Sequence, residues 1–327
     1  MKQMSGTVEL EVGIEQWPLK TPFRIAGREW SVLDVMVVTL HKGGAVGRGE
    51  AAGVYYKSET AQSILEQVNA VRADIEGGMS RDDLQKRLPP GGARNAIDCA
   101  MWDLEAKLQH QPAWQTAGLE SPQPLLTTFT CGADTPKAMA AAARAYPGAR
   151  AIKLKLTGDP VDTDRVLAVR DALPEVWLSV DANQGLTPEK LEWLLPTFMD
   201  SRVQLIEQPF PRGQEAHLDG LQSPIPIALD ESVLTSNATR CSVINIKLDK
   251  CGGLTEGLEM ARAAHRFGLQ AMVGNMLGTS LAMAPAYLVG QLCKVVDLDG
   301  PTFLASDRSE TIRYADGYIS CPENLWG

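Results

Sequence analysis

The sequence predicts an α/β fold in which a parallel β/α barrel follows a smaller α+β module. From about residue 125 onward, short apolar runs of strand length alternate with helical stretches close to eight times. Three of these runs end in a carboxylate, at Asp181, Glu207 and Asp230, in steps of 26 and 23 residues. Because the C-terminal ends of parallel barrel strands share one rim, we expect the three carboxylates to converge there.

The first 120 residues or so have the pattern of the smaller module. Apolar and polar residues alternate in VELEVGIEQW (8–17) and SVLDVMVVTL (31–40), which predicts antiparallel strands. The glycine-rich residues 41–50 predict a turn region. Helices are predicted over 58–76 and 80–88. Apolar residues three and four apart predict a further amphipathic helix over 91–109.

Repeated strand–helix units predict the barrel, with an open doubly wound sheet as the structural alternative. Predicted helices cover 137–146, 161–173, 188–198, 254–268 and 280–292, and predicted strands are LLTTFT, AIKLKL, VWLSV, VQLI, IPIAL, VINIK, LQAMV and VVDLD. No GxGxxG motif follows the early strands, so a dinucleotide-binding fold has little support. Only 17 residues separate Asp230 from Lys247, which predicts an abbreviated or irregular helix between them. The tail, about 306–327, is expected to pack back on the first module.

The bulk composition excludes several classes of partner. The 327 residues carry 31 Lys plus Arg and 40 Asp plus Glu, a formal net charge of −9, which argues against nucleic acid or an anionic membrane surface. The N-terminus has no apolar leader segment, and no run of 18 apolar residues occurs, so we expect a cytoplasmic protein. Six cysteines without a CxxC pair and four histidines argue against zinc or a disulfide framework.

The three strand-end acids predict a divalent-metal site. Oxygen ligands suit a hard divalent cation. Carboxylates buried so close together would repel one another, and a bound cation removes that repulsion.

Lysines on two strands are the candidate acid/base groups. Lys153 and Lys155 share one face of a strand by period two, and we expect them to point into the barrel mouth while Leu154 packs on helices. The alternative is an amphipathic edge strand with two solvated lysines. Lys247 lies on a later strand, across the predicted barrel from Lys155, where its alternative is a loop-end lysine like Lys250. Near a divalent cation such a lysine is expected to have a lowered pKa and to serve as a base.

Two further pairs of charged residues are candidate substrate contacts. Asp297 and Asp299 in VVDLDGP share one face at the end of the last predicted strand and could bind a cationic group; the alternative is a solvated turn, since Asp-Gly is a turn signal. Arg24 and Arg28 lie between the first two strands, where one could clamp a substrate over the barrel mouth. The alternative is a surface arginine at each position.

These motifs together resemble the enolase superfamily in its muconate lactonizing enzyme subgroup. The resemblance covers nearly the whole chain and is carried by KLK at 153–155, the three acids, and NIKLDKCGG at 245–253. No histidine lies near LQAMVGN, where the mandelate racemase subgroup has one. The resemblance implies a modified (β/α)7β TIM barrel over 121–305 and an N-terminal α+β capping domain over 1–120. It also implies proton removal beside a carboxylate, with Mg²⁺ stabilising the enediolate.

Within the subgroup, VDLDGP is similar to the paired aspartates of dipeptide epimerases, including those acting on L-Ala-D/L-Glu. This resemblance implies Lys155 and Lys247 as catalytic acid and base and one Mg²⁺ per subunit, replaceable by Mn²⁺, on Asp181, Glu207 and Asp230. The implied substrate-binding residues are Lys153, Asp297, Asp299, Thr130, Asn275, Arg28 and Arg24, the last two as alternatives for a distal carboxylate. Residues 47–59 are expected to act as a lid.

The implied activity leaves alternatives and partners to be tested. Within enzymes, o-succinylbenzoate synthase and N-acylamino acid racemase share the lysines and metal ligands; outside enzymes, the alternative is a metal-stabilised binding protein. We expect a small-molecule dipeptide as the partner, no nucleic acid or membrane, and a homo-oligomer. A role in recycling cell-wall peptides follows if Ala-Glu is preferred.

Overall fold

The N-terminal strands form an antiparallel sheet in a computed structural model that describes residues 7–25, 28–233 and 241–327. Its strands, β1 (Glu9–Ile25), β2 (Arg28–Lys42) and β3 (Ala45–Ala51), lie in the order β1-β2-β3. The predicted turn region over 41–50 is therefore wrong for most of its length, since β3 begins at Ala45. Its glycines serve helix packing instead, because a Cβ on Gly47 or Gly49 would collide with the backbone of a neighbouring helix.

The neighbouring helix is α4 (Gly92–Gln109), the longest of five that follow the sheet. The others are α1 (Ala61–Ala70), α2 (Arg72–Glu76), α3 (Arg81–Arg87) and α5 (Ala113–Thr116). Ser80 caps α3 by accepting a hydrogen bond from the Asp83 amide at 3.2 Å. The predicted helices in this part of the chain are confirmed, although the first is divided after Ala70.

Eight parallel strands follow, after a short strand β4 (Leu125–Leu126). They are β5 (Phe129–Cys131), β6 (Ala151–Lys155), β7 (Trp177–Asp181), β8 (Val203–Glu207), β9 (Ile227–Leu229), β10 (Val243–Ile246), β11 (Gln270–Val273) and β12 (Val295–Val296). Their spatial order follows the chain without reversal, which rules out the doubly wound alternative. The two ends of the sheet meet where the Thr128 amide donates to the Val296 carbonyl at 2.9 Å, as a barrel requires.

The outer helices are packed against the apolar faces of these strands. They are α6 (Pro136–Arg144), α7 (Asp162–Ala172), α8 (Pro188–Asp200), α9 (Leu248–Cys251), α10 (Leu254–Arg266) and α11 (Ser280–Gly290). Ile152 and Leu154 pack with Val166 of α7, as the alternation in β6 predicted. Most of the chain between Asp230 and β10 lies outside the described residues, so the predicted abbreviated helix there is untested. Among the described residues, no helix combines the length and apolar character needed to cross a bilayer.

The interior of the barrel is closed by a small apolar layer. Leu205, Ala228, Val243 and Met272 come from four successive strands and are almost fully buried together. Because side chains alternate along a strand, Glu207 is on the same face as Leu205, and Asn245 is on the same face as Val243. The polar residues therefore lie on this apolar layer, towards the C-terminal rim.

The C-terminal tail contacts both parts of the molecule. Its strands β13 (Arg313–Ala315) and β14 (Tyr318–Ser320) pair with each other, and β14 pairs with β4. Further along, Trp326 Nε1 donates to the Arg48 carbonyl at 2.9 Å, and the Gly327 amide donates to Asp103 Oδ1 at 2.7 Å. The tail thus connects β4, which precedes the first barrel strand, to the N-terminal module. The domain boundary at residue 120 stays a prediction.

Candidate active site

A pocket opens at the C-terminal ends of the barrel strands, beneath the N-terminal module. Residues of the barrel that line it are Thr130, Lys153, Lys155, Asn183, Asp230, Lys247, Asn275, Met276, Leu277, Asp297, Asp299 and Phe303. Residues of the N-terminal module that line it are Phe23, Trp30, Leu33, Ala52, Gly53, Tyr55 and Tyr56. The barrel wall is thus mainly polar and charged, and the opposite wall is mainly aromatic and apolar.

Strand register brings the predicted acids together. Lys155 is paired with Asp181 between β6 and β7, and Asp181 is paired with Glu207 between β7 and β8. Asp230 directly follows β9, the next strand of the sheet. All three carboxylates are at most 1% exposed, so they form one buried acidic group at the pocket floor.

The pocket lysines are bonded to these acids. Lys153 Nζ lies 2.8 Å from Glu207 Oε2 and 3.2 Å from Asp181 Oδ2. Lys155 Nζ donates to Asp181 Oδ2 at 2.6 Å, and Lys247 Nζ lies 2.7 Å from Asp230 Oδ2. Lys155 is on the second strand of the barrel and Lys247 follows the sixth, so the two ammonium groups project from opposite walls. The solvated-lysine alternatives are therefore wrong for all three lysines, each of which is at most 8% exposed.

Burial and ion pairing shift the pKa values of this group in opposite directions. Burial alone would raise the pKa of Asp181, but Lys155 and Lys153 lower it to about 2. Burial and the Asp181 carboxylate raise the pKa of Glu207. Although burial opposes it, the Asp230 carboxylate raises the pKa of Lys247 above its ordinary value, which differs from the predicted lowering. The predicted base character of this lysine thus depends on what neutralises Asp230.

The acids fit a divalent cation by their chemistry. Around them three buried oxygens find no hydrogen-bond donor among the described residues: Asn183 Oδ1, Glu231 Oε2 and Asn245 Oδ1. Burial and the Asp230 carboxylate raise the pKa of Glu231 to about 7, a sign of excess negative charge. No three His, Cys, Asp or Glu side chains in the described ranges are already arranged as a metal site, since lysine ammonium groups lie between the acids. An all-oxygen donor set of this charge suits Mg²⁺.

Asp297 and Asp299 form a second buried acidic pair on the pocket wall. They are 4% and 3% exposed, so the solvated-turn alternative is wrong. Asp297 Oδ2 accepts from Lys153 Nζ at 2.8 Å, and Asp299 Oδ2 accepts from the Thr130 amide at 2.6 Å. Asn275 Nδ2 donates to the Asp297 carbonyl at 2.5 Å, which places this predicted residue at the same wall. Burial and the neighbouring Asp297 raise the pKa of Asp299 to about 7.

The two candidate arginines are placed by their backbones alone. Arg24 is paired with Glu29, and Arg28 with Ile25, across the end of the β1–β2 hairpin. The side chains of both arginines lie outside the described part of the chain. Phe23 and Trp30, on the same hairpin, line the pocket, so this hairpin end borders the site.

The lid expected over 47–59 stays a prediction, but part of this segment lies in the N-terminal sheet. Its first residues belong to β3, where Glu50 is buried. The segment from Ala52 to Tyr56 lines the pocket instead, and it is fixed by a 2.9 Å hydrogen bond from the Gly53 amide to Asp249 Oδ1. Trp30 and Tyr55 meet edge to face with ring centroids 5.5 Å apart, which joins this segment to the hairpin end.

Sequence reasoning missed three residues that support the acids. Asn245 Nδ2 donates to Glu207 Oε1 at 2.8 Å, and its position two residues before Lys247 could have placed it on the same face. Lys250 contacts Asp230, although its sequence resembles a loop-end lysine. Gln208 Oε1 accepts from the Asp230 amide at 2.9 Å, and only the tertiary structure shows this contact.

Comparisons with known proteins agree with this geometry. Residues 137–325 match the family model described as enolase C-terminal domain-like. Residues 7–118 match the mandelate racemase / muconate lactonizing enzyme N-terminal domain.

Two curated relatives share the same level of identity. L-Ala-D/L-Glu epimerase of Escherichia coli strain K12 is 39% identical over 312 residues, which cover 93% of this chain and 97% of the relative. N-acetyl-D-glutamate racemase of a Pseudoalteromonas species is 39% identical over 277 residues, which cover 82% of this chain and 87% of the relative.

Two solved structures have the same fold over nearly the whole chain. One is an enolase family member from Agrobacterium tumefaciens with homology to dipeptide epimerases, solved with sodium and L-Ala-L-Glu. It is 38% identical to this chain, with a TM-score of 0.94, and the match covers 98% of this chain and 100% of that one. Dipeptide epimerase from Methylococcus capsulatus, complexed with Mg and L-Arg-D-Lys, is 29% identical, with a TM-score of 0.90 and coverage of 97% and 98%. Because two domain models match and two relatives are 39% identical, the chain belongs to the enolase superfamily, in the mandelate racemase and muconate lactonizing enzyme family.

Proposed function

We propose that the protein is an isomerase, a Mg²⁺-dependent dipeptide epimerase that inverts the α carbon of the C-terminal residue. The observation that carries the proposal is the placement of Lys155 and Lys247 on opposite walls of one pocket, with a buried acidic group between them. Two bases on opposite sides of a substrate carbon allow a proton to leave one face and another proton to arrive on the other. Both curated relatives at 39% identity carry names of enzymes that invert a carbon centre.

Each lysine has a defined part in this two-base scheme. In one direction Lys155 Nζ takes the α proton and Lys247 Nζ delivers its own proton to the opposite face; in the other direction the parts are exchanged. A neutral amine is needed to take a proton. Each ammonium is bonded to an acid, Asp181 or Asp230. The Asp230 carboxylate raises the pKa of Lys247, so neutralising Asp230 would reverse that effect.

The metal ion would be held by Asp181, Glu207 and Asp230. When bound, it supplies positive charge that stabilises the negative charge developing on the substrate carboxylate. Lys153 adds a second positive charge at the same place, because its Nζ is buried between Glu207 and Asp297. The chain's own ammonium groups thus surround the position where a substrate carboxylate would gain charge.

The acidic pair would bind the ammonium group of the dipeptide. Asp297 and Asp299 both line the pocket, and burial together with the neighbouring Asp297 carboxylate raises the pKa of Asp299. A cationic ligand group between them would remove that repulsion. Thr130 and Asn275 hold the two acids in place through the hydrogen bonds already described.

A preference for L-Ala-D/L-Glu is the finer part of the proposal. It is supported by the Escherichia coli relative and by the Agrobacterium structure solved with L-Ala-L-Glu. A glutamate side chain needs a cation for its distal carboxylate. Arg28, with Arg24 as the alternative, lies at the hairpin end that borders the pocket.

An N-acylamino acid racemase is the second candidate function. The relative named N-acetyl-D-glutamate racemase, at 39% identity, favours it. Its substrate has no free ammonium, so Asp299 would gain no cationic partner and Asp297 would keep only its contact with Lys153. The buried acidic pair therefore favours an unblocked dipeptide.

The decisive experiment measures α-proton exchange in D₂O by NMR. We expect L-Ala-L-Glu and L-Ala-D-Glu to exchange and to interconvert, and N-acetylated Glu to exchange far more slowly. A panel of other L-X-L-Y dipeptides then defines the side-chain preference. Rapid exchange of N-acetyl-Glu with none from free dipeptides would overturn the proposal in favour of the racemase, and no exchange from any of them would reject both.

The proposed function extends to the domain roles, the location and the physiological use of the protein. We expect residues 1–120 to act as a capping domain over a barrel of 121–305, because residues of both line the pocket. We expect a cytoplasmic homo-oligomer. If Ala-Glu is the substrate, the reaction serves the recycling of cell-wall peptides.

A further inference from the structure

Lys250 lies behind the proposed metal ligands instead of in the pocket. It belongs to α9, is 8% exposed, and is absent from the pocket lining that includes Lys247. Its Nζ reaches three acceptors: Asp230 Oδ1 at 2.6 Å, the Asp230 carbonyl at 2.6 Å and the Asn245 carbonyl at 3.0 Å. An ammonium group has three N–H donors, so these contacts saturate Lys250.

Asp230 therefore carries one lysine on each carboxylate oxygen. Lys247 contacts Oδ2 from the pocket side, and Lys250 contacts Oδ1 from the buried side. Under the proposed function Lys247 must leave this acid to reach a substrate carbon. Lys250 has no such task, so its contact can persist throughout a catalytic cycle and keep the Asp230 carboxylate oriented.

The same ammonium also fixes the backbone that carries Asp230. Strands β9 and β10 are paired only at Ala228 with Val243 and at Leu229 with Ile244. Lys250 links the carbonyls of the next residue on each strand, Asp230 and Asn245. It therefore holds the two strand ends together where strand pairing has ended.

We propose that Lys250 is a positioning residue that holds the Asp230 carboxylate in place for the metal ion. The inference rests on the proposed function, which names Asp230 as a metal ligand. Lys250 acts through Asp230 and does not touch the substrate. It thus differs from Lys155 and Lys247, which exchange protons with the substrate.

The test measures Mn²⁺ binding without any substrate. Lys250→Met removes the charge and the three donors while keeping a side chain of similar length. We expect it to weaken Mn²⁺ binding by about tenfold to a hundredfold, as loss of a residue that orients a metal ligand typically does, measured by electron paramagnetic resonance on protein freed of metal. Lys250→Arg keeps the charge and should recover most of the affinity.

Lys107 offers a matched control. Its Nζ also contacts a carboxylate oxygen, Asp103 Oδ2 at 2.8 Å, and a backbone carbonyl, that of Val46 at 2.8 Å, but in the N-terminal module. Lys107→Met removes the same kinds of contact far from the acids. Its Mn²⁺ affinity should equal that of the wild type.

A folded Lys250→Met protein that binds Mn²⁺ as tightly as the wild type would overturn the inference. Circular dichroism and thermal melting establish whether the variant folds. If it does not, Lys250→Gln, which keeps a donor for the carbonyls and removes the charge, decides by the same criterion. Because no dipeptide is present, weakened Mn²⁺ binding supports the inference even if the wild type fails to exchange dipeptide protons. That failure would reject only the proposed function.

Discussion

Gly274 lies so close to Asn245 that a Cβ added to the glycine would be 2.6 Å from Asn245 Oδ1. The same Cβ would lie 3.0 Å from Cε of Lys247, so it would crowd two neighbouring functional side chains at once. Gly274 follows β11, and its amide donates to the Ile246 carbonyl at 2.9 Å, which fixes this approach. The absence of a side chain at Gly274 therefore makes room for Asn245, which supports Glu207, and for Lys247.

Gly274→Ala should impair catalysis more than folding. The added methyl group must displace Asn245 or the Lys247 side chain, and a shift of about 1 Å in a reacting group can lower the rate by about a hundredfold. We expect kcat for dipeptide epimerisation to fall by about tenfold to a hundredfold, with a modest change in thermal stability.

Gly13→Ala is the control for that substitution. Gly13 lies in β1, and a Cβ there meets no atom within 4 Å. Its kcat should stay at the wild-type value. If Gly274→Ala also retains the wild-type kcat, Lys247 does not depend on this packing.

Single replacements of the pocket lysines should affect the two epimers unequally. Lys155 and Lys247 project from opposite walls, so each faces a different side of the substrate carbon. In Lys155→Met, solvent deuterium exchange should be lost from one epimer by at least about a hundredfold more than from the other. Lys247→Met should show the reverse preference. NMR exchange rates measured separately from pure L-Ala-L-Glu and L-Ala-D-Glu check this, and equal residual rates from both epimers in each variant would contradict the two-base scheme.

The functional strands were predictable because their chemistry follows local periodicity. Lys153 and Lys155 are two residues apart, and Asp181 and Glu207 each end an apolar run, so strand alternation and the shared rim placed them from sequence alone. The positions of these side chains around the rim depend on the order of the strands, and the strands lie in the same order as in the chain.

What could not be predicted depends on contacts between distant segments. Glycines at 47 and 49 indicated a turn, but they lie in a strand and permit the close approach of α4, a tertiary demand that local sequence does not show. Lys250 has the sequence context of a surface lysine, and only folding places it against Asp230.

Removal of metal ions should abolish activity while leaving the protein folded. Lysine ammonium groups already neutralise Asp181, Glu207 and Asp230, so the fold does not need a cation to hold these acids. A chelator should therefore stop dipeptide exchange without loss of the circular dichroism signal. Mg²⁺ at about a hundred times its Kd should raise the free energy of unfolding by about 2.7 kcal/mol. Full activity after exhaustive chelation, or unfolding upon it, would contradict this view.

Arg308 should be required for stability because it neutralises a buried acid between the two parts of the molecule. Its Nη2 lies 2.7 Å from Glu50 Oε2 on β3 and 2.7 Å from Glu15 Oε2 on β1. The Glu50 side chain is fully buried, and its Oε1 accepts from the Thr279 amide next to α11 at 2.8 Å. Arg308→Met leaves a buried carboxylate without its cation, which should cost about 3–5 kcal/mol in urea unfolding. Arg87→Met, which breaks an exposed pair with Asp74, should cost less than about 1 kcal/mol.

The pH dependence of that loss identifies the acid responsible. Burial raises the pKa of Glu50 above its ordinary value of 4.5, although Arg308 opposes the shift. A carboxyl group whose pKa is higher in the folded state stabilises the fold fully below its unfolded pKa, and this contribution is lost as pH rises through the folded pKa. Without Arg308 the shift grows, so the difference in free energy of unfolding between wild type and Arg308→Met should widen as pH rises above 4.5. Glu50→Gln in the Arg308→Met background should remove this pH dependence, and a difference that stays constant with pH would assign the stability loss to packing instead of charge.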